Sequence, residues 1–145
     1  MNRNDLKRIL ERAPVEEPVA EPLAIPSDFR VLVVDDISTN CIVAKRILER
    51  IGVQYVDTAT NGEAALALIA EQPPSLVLTD LWMPGVSGVD LEKSLHERLP
   101  DLPVVAITAD NDRDEKRFPE QSRFRSVVQK PLTVENLYAV LKDIL

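Results

Sequence analysis

From Phe29 onward, short runs of aliphatic residues alternate with stretches in which apolar side chains return every third or fourth position. The first run, Val31-Leu32-Val33-Val34, is continuously apolar and largely β-branched, as expected of a strand covered on both faces. Residues 39–50 then show helical periodicity, with Val43, Ala44, Ile47 and Ile51 on one stripe and Gly52 as the stop. A second strand falls at residues 55–59. Thr60, followed by Glu63 three residues later, has the form of a capping box for a helix through Ala70, which Pro73 and Pro74 end. Residues 76–79 form a third strand, and residues 88–99 a third helix with Leu91, Leu95 and Leu99 at i, i+4 and i+8. Strands four and five fall at 104–108 and 126–129, and the last helix spans 134–145, striped by Val134, Leu137, Leu141 and Ile144. Between strands four and five, residues 110–121 are highly charged and interrupted by Pro119, so a short or irregular fourth helix is expected there. This alternation predicts an α/β, doubly wound (βα)5 domain around a five-stranded parallel sheet of order 2-1-3-4-5.

Residues 1–28 follow a different pattern. Leu6, Ile9 and Leu10 share one side of a helix too short to hold alone, and Pro14, Pro18, Pro22 and Pro26 then recur every fourth residue among Glu, Val and Ala. Proline fixes φ and removes an amide donor, so this is expected to be an extended, Pro/Glu-rich linker or tail, with the folded domain at residues 29–145. A spacer of this kind implies something attached upstream.

Composition narrows the partners. The 145 residues carry a net charge of −7, which argues against direct contact with nucleic acid, since phosphate recognition needs clustered Lys and Arg. A single cysteine, Cys41, excludes an internal disulfide and fits a reducing compartment. Residues 1–12 are charged throughout and lack the apolar core of a signal peptide, and no apolar run approaches the ~20 residues needed to cross a bilayer. A cytoplasmic location without membrane insertion of this segment is expected.

The residues at the strand ends carry the chemistry. Asp35 and Asp36 follow strand one, Asp80 follows strand three, Thr108 ends strand four and Lys130 follows strand five. In the 2-1-3-4-5 order the switch point lies between strands one and three, and ligands of open parallel sheets bind there, outside the carboxyl ends. Three carboxylates brought together repel one another and call for a cation or a shared proton. With a hydroxyl and an ammonium added, the set fits a magnesium ion and a phosphoryl group. Singly, each residue has an ordinary role: aspartates turn or cap, a strand-end threonine is a β-former, and a lysine is solvated surface. His96 reads as a surface histidine, Cys41 as a small packed residue, and Gly85 and Gly88 as loop glycines rather than a phosphate cradle.

Val-Val-Asp-Asp at 33–36, Thr-Asp-Leu-Trp-Met-Pro-Gly at 79–85, Ile-Thr-Ala at 107–109 and Lys-Pro at 130–131, in this order and spacing, resemble the receiver domain of two-component response regulators. The resemblance covers roughly residues 29–145 and implies a flavodoxin-like fold. It further implies that Asp80 is the phosphoacceptor, taking a phosphoryl group from a histidine. Asp35, Asp36 and Asp80, with the backbone carbonyl of Trp82, would hold Mg2+, while Lys130 and Thr108 would engage the phosphoryl group. The resemblance also implies a cis Lys130–Pro131 bond. The residues from Asp35 to Asn40, with Ala44, Lys45 and Leu48, are most similar to receivers attached to hybrid histidine kinases. The partners implied are a histidine kinase dimerisation and phosphotransfer domain, and a histidine phosphotransfer protein as the next acceptor. Two other settings are a stand-alone single-domain regulator acting by protein binding, and a flavodoxin-like cofactor binder. The second is disfavoured, because three acids at the switch point would repel a flavin phosphate. No output enzyme or DNA-binding domain is expected in this chain, so any kinase activity would belong to a longer parent. One departure stands out: Val127 occupies the place, three residues before the lysine, where receivers carry Tyr or Phe, which puts the usual threonine–aromatic switch in question.

Overall fold

The computed structural model describes residues 22–109 and 123–145. Five strands, β1 (Arg30–Val34), β2 (Tyr55–Ala59), β3 (Leu76–Asp80), β4 (Val104–Thr108) and β5 (Ser126–Gln129), form one sheet of order β2-β1-β3-β4-β5. Every neighbouring pair is parallel. The described helices are α1 (Ser38–Ile51), α2 (Gly62–Glu71), α3 (Gly88–Arg98) and α4 (Val134–Ile144). The expected fold class and strand order are those found. The short or irregular helix expected between β4 and β5 lies outside the described residues, as does most of the segment 1–28.

The sheet is covered on both faces because its central strands offer apolar side chains to each in alternation. Val31 and Val33 of β1, Leu76 and Leu78 of β3, and Val105 and Ile107 of β4 face α1 and α4 through Ala44, Leu48, Leu137 and Leu141. Leu32, Val34, Val77 and Val104 point the other way, onto Ala65 and Ile69 of α2 and Leu91 and Leu95 of α3. β3 and β4 are buried along their whole length. Each fully buried leucine contributes roughly 1.5–3 kcal/mol, so the strand ends rest on a stiff platform.

Two local expectations are corrected. On α1 the buried stripe is Cys41, Ala44, Leu48 and Ile51, spaced 3, 4 and 3, while Val43 is 43% exposed. Val43 lies about 100° around the helix from Ala44, and the small Ala44 side chain lets the helix sit close to the sheet on its own side. At α2 the cap is Asn61, not Thr60: the Asn61 side chain accepts the Ala64 N–H at 2.7 Å. Asn61 has the extended backbone that an N-cap requires, and starting one residue later moves Glu63 out of the position from which it could close a box. Capping boxes close the N-termini of α3 at Ser87–Asp90 and α4 at Thr133–Asn136, whereas Ile37, ahead of α1, makes no side-chain cap hydrogen bond. Gly52 ends α1 at φ 123°, donating its N–H to Leu48 and Glu49 carbonyls.

Just ahead of β1, Leu23 and Ile25 are packed against the α1/α4 side of the core, and the Phe29 N–H closes a turn onto the Pro26 carbonyl. This packing lies beside Gly52, at the end of the sheet away from the acidic strand ends. Replacing both residues with serine is expected to lower the melting temperature by about 3–8 °C, given the apolar area they cover. Thermal unfolding followed by circular dichroism measures it, and an unchanged Tm would show that the contact contributes nothing.

Candidate functional site

At the carboxyl edge of the sheet, β1 and β3 end side by side and deliver their acids to one place. Asp35, the residue after β1, is only 2% exposed and its backbone N–H bonds to the Ala59 carbonyl at 3.1 Å. Its Oδ1 accepts the Ile37 N–H at 2.9 Å, a tight turn that orients the carboxylate and starts the chain toward α1. Asp36 is exposed at the pocket rim. Asp80, the last residue of β3, is 8% exposed, and its Oδ1 accepts the Trp82 N–H at 3.5 Å. Asp35, Asp36 and Asp80 each offer a carboxylate oxygen, all within 4.8 Å of one another.

Lys130 arrives from the far side of the sheet. Its backbone N–H bonds to the Thr108 carbonyl at 2.7 Å, continuing the β4–β5 ladder one step beyond β5, and the Lys130–Pro131 bond is cis, as expected. Its Nζ lies 3.1 Å from Asp35 Oδ2 and 3.4 Å from Asp80 Oδ2. Thr108 is buried at the end of β4, one position beyond Ile107, the partner of Asp80. Trp82 is 41% exposed. All six expected site residues therefore lie at this one edge, with Asp35, Asp80 and Lys130 in direct contact.

The electrostatics follow from burying acids around a single ammonium among the described residues. Burial pushes the Asp80 carboxyl above its ordinary value, and Asp35 pushes it further, against the opposing pull of Lys130 and the Trp82 N–H. Burial disfavours the Lys130 ammonium, but the Asp35 hydrogen bond and the charges of Asp80 and Asp35 outweigh it and leave its value raised. The two shifts are compatible: one ammonium shared by two acids gains from both, while neither acid has it alone. The donor set is all oxygen, carries surplus negative charge and is partly open to solvent, which fits a hard divalent cation such as Mg2+.

Two further residues, Thr79 and Gly88, support the site. Thr79 is fully buried and its hydroxyl donates to the Asp80 carbonyl at 3.0 Å. Gly88 lets the start of α3 lie directly on the end of β3, where an added Cβ would clash with the Asp80 carbonyl and lie 2.9 Å from Leu81 Cα. The apolar run Leu76-Val77-Leu78 leading into Thr79 hinted at the first, whereas the second depends on an approach between segments that no local pattern reveals. Cys41 is buried, its thiol donating to the Asp35 carbonyl at 3.4 Å and the Ala59 carbonyl at 3.7 Å, with burial raising its pKa. It is a packed residue, and its neutral thiol suits that place.

The sequence profile of the response regulator receiver domain matches residues 31–142, and the chain belongs to that family. It is a receiver domain of two-component signalling, a class whose general function is phosphorylation on an aspartate. Receivers generally bind Mg2+ in an acidic pocket and interact with histidine kinases or phosphotransfer proteins. Among curated relatives, the chain is 32% identical over 136 residues to Sensor protein EvgS of Escherichia coli O157:H7. It is 39% identical over 117 residues to the Aerobic respiration control sensor protein ArcB of Escherichia coli K12. These matches cover 94% and 79% of this chain but only 11% and 15% of the two sensor proteins. Chemotaxis protein CheY-3 of Vibrio cholerae is 33% identical, with 81% of this chain and 92% of that protein covered. The solved receiver domain of NtrX from Brucella abortus superimposes with a TM-score of 0.72 at 28% identity, covering 79% of this chain and 97% of that one. No helix among the described residues is long and apolar enough to cross a membrane.

Because folding raises the Asp80 pKa, its charged form opposes folding. The associated stability is greatest below the ordinary carboxylate value and falls as pH rises through the raised folded value. In metal-free buffer Asp80→Asn is therefore expected to be more stable than wild type at pH 7, with the advantage shrinking toward pH 4. Tm against pH for both proteins tests this; a wild type equally or more stable at pH 7 would contradict it.

Proposed function

We propose that Asp80 is the phosphoacceptor of a two-component phosphorelay. The observation that carries this is the meeting of three carboxylates within 4.8 Å, with one ammonium 3.1 and 3.4 Å from two of them. An Asp80 carboxylate oxygen attacks the phosphorus of a phosphohistidine, the P–N bond breaks, and the imidazole leaves with its electron pair and takes up a proton. Asp35, Asp36 and Asp80, with the Trp82 carbonyl, would hold Mg2+, which neutralises charge on the transferring group. Lys130 is the mobile donor: its ammonium can turn from the Asp80 carboxylate to an oxygen of the new acyl phosphate. Thr108, buried at the adjacent strand end, would offer its hydroxyl to another. With Val127 half exposed on β5, the response to phosphorylation would not depend on an aromatic switch at that position.

Incubation with acetyl phosphate and Mg2+ should add one phosphoryl mass to wild type and none to Asp80→Asn. Asp36→Ala should weaken Mg2+ binding by at least about tenfold, since few ligands share the ion. Labelling of the Asn variant to the wild-type extent would refute the assignment.

A tethered receiver relaying phosphate within a sensor protein is favoured over a stand-alone regulator by one specific observation. The EvgS match covers 136 residues of this chain, more than the 117 that follow residue 28, so it runs into the segment ahead of the domain. In this reading that segment is a linker, the upstream partner is a histidine kinase domain and the next acceptor a histidine phosphotransfer protein. A protein donor must bring its histidine against Asp80. Ile37 ahead of α1, Ile42 and Val43 on its first turns, and Trp82 are all 41–53% exposed and offer an apolar rim for a histidine-bearing helix. Ile42→Glu is expected to slow transfer from a phosphorylated protein donor about tenfold or more, while acetyl phosphate labelling stays at the wild-type rate. Equal slowing with both donors would locate the defect in the pocket instead of the docking surface.

A further inference from the structure

Glu92 is an acid in a place that local chemistry does not favour. It lies in the middle of α3, is 2% exposed, and is flanked on the helix by the buried Val89, Leu91 and Leu95, while His96, Arg123 and Arg125 share the cleft it lines. An acid buried in this way opposes folding unless it is hydrogen-bonded. Its carboxyl oxygen accepts the backbone N–H of Arg123. That N–H lies ahead of the β4–β5 ladder, which begins where the Arg125 N–H meets the Val104 carbonyl at 2.8 Å. Glu92 thus supplies the acceptor that no neighbouring strand provides.

What it holds matters because β5 is weakly held otherwise. β5 is an edge strand of four residues, paired on one side, and only Val128 among them is buried. Ahead of the strand, Phe124 packs on Leu81, Val89 and Ala106. Beyond it, the Lys130 ammonium lies within 3.4 Å of two acids, Asp35 just past β1 and Asp80 at the end of β3. Helix α3 itself is seated on the end of β3, next to Asp80, by the Gly88 N–H to Leu81 carbonyl bond at 3.0 Å. The contact from Glu92 therefore ties the helix seated beside Asp80 to the strand that delivers Lys130.

We infer that Glu92 is a positioning residue: by holding the start of β5 to α3 it sets where Lys130 stands relative to Asp80. The inference rests on the phosphoacceptor role of Asp80 proposed above. Glu92→Leu removes the acceptor and puts an aliphatic side chain in its place, and Arg123 is exposed, so water can take its N–H. Glu92→Gln keeps the acceptor.

The test measures melting temperature, Mg2+ affinity and the rate of acetyl phosphate labelling in all three proteins. Glu92→Leu should melt at or above wild type and bind Mg2+ within about twofold of it, yet label at least about threefold more slowly, while Glu92→Gln labels within about twofold of wild type. A residue that only stabilises the fold would behave oppositely. A lower Tm with parallel losses of Mg2+ affinity and labelling, or a Glu92→Leu labelling rate equal to wild type, overturns the inference. Glu92→Met replaces the leucine variant if that does not fold. If wild type is not labelled at Asp80, the phosphoacceptor assignment falls and amide hydrogen exchange decides the remainder. Faster exchange across residues 123–130 in Glu92→Leu supports the latch, and unchanged exchange overturns it.

Discussion

Asp35, Asp36 and Asp80 converge on a pocket where Lys130 is the ammonium in contact, and the architecture of the domain is what makes this arrangement possible. Left to themselves, three carboxylates separate and dissolve in water. Here two are held by the ends of strands that are buried on both faces, so the repulsion is contained by the packing of the sheet. The consequence is a raised Asp80 pKa and a standing demand for positive charge. That demand suits a site which takes a hard cation and then a phosphoryl group, because each arrival relieves a repulsion already present.

The parallel sheet does more than collect the acids. It separates structural from chemical duties along each strand: alternate residues of β1, β3 and β4 build the two cores, and residues at or just past the carboxyl ends form the site. Side chains that serve the site indirectly are placed by the same logic. Thr79 bonds the Asp80 carbonyl from within the strand, and Gly88 admits the backbone of α3 onto the end of β3. Cys41 fills a small space under Asp35, its thiol engaged by two backbone carbonyls.

β5 is the exception to this stiffness. It is short, lies at an edge and has one buried residue, yet it must present the cation. Polar anchoring at either end of the strand, at Arg123 and at Lys130, takes the place of the apolar packing that secures β1, β3 and β4. A strand held this way can shift with less loss than a fully buried one, and the residue it carries is the one proposed to change partners when Asp80 takes a phosphoryl group.

Most of this was legible along the chain because the signals are local. Continuous aliphatic runs mark strands covered on both faces, and the bounds of β2, β4 and β5 were read correctly; the 3.6-residue period marks the helices, and acids after two strands with a lysine after a third mark the site. Short-range competition blurred a few details: Asn61 displaced Thr60 as a cap, and Leu48 displaced Ile47 among the fully buried residues of α1, each by a shift of one position. Only the tertiary structure decided what depends on approach between distant segments. The seat of Gly88 on β3, the packing of Leu23 and Ile25 ahead of the domain, and the capture of Arg123 by the buried Glu92 leave no periodic trace, because each joins residues whose neighbours in sequence have no share in the contact. Sequence alone determined which groups meet at the sheet edge; the distances at which they meet, and the residues that hold them there, were decided by packing.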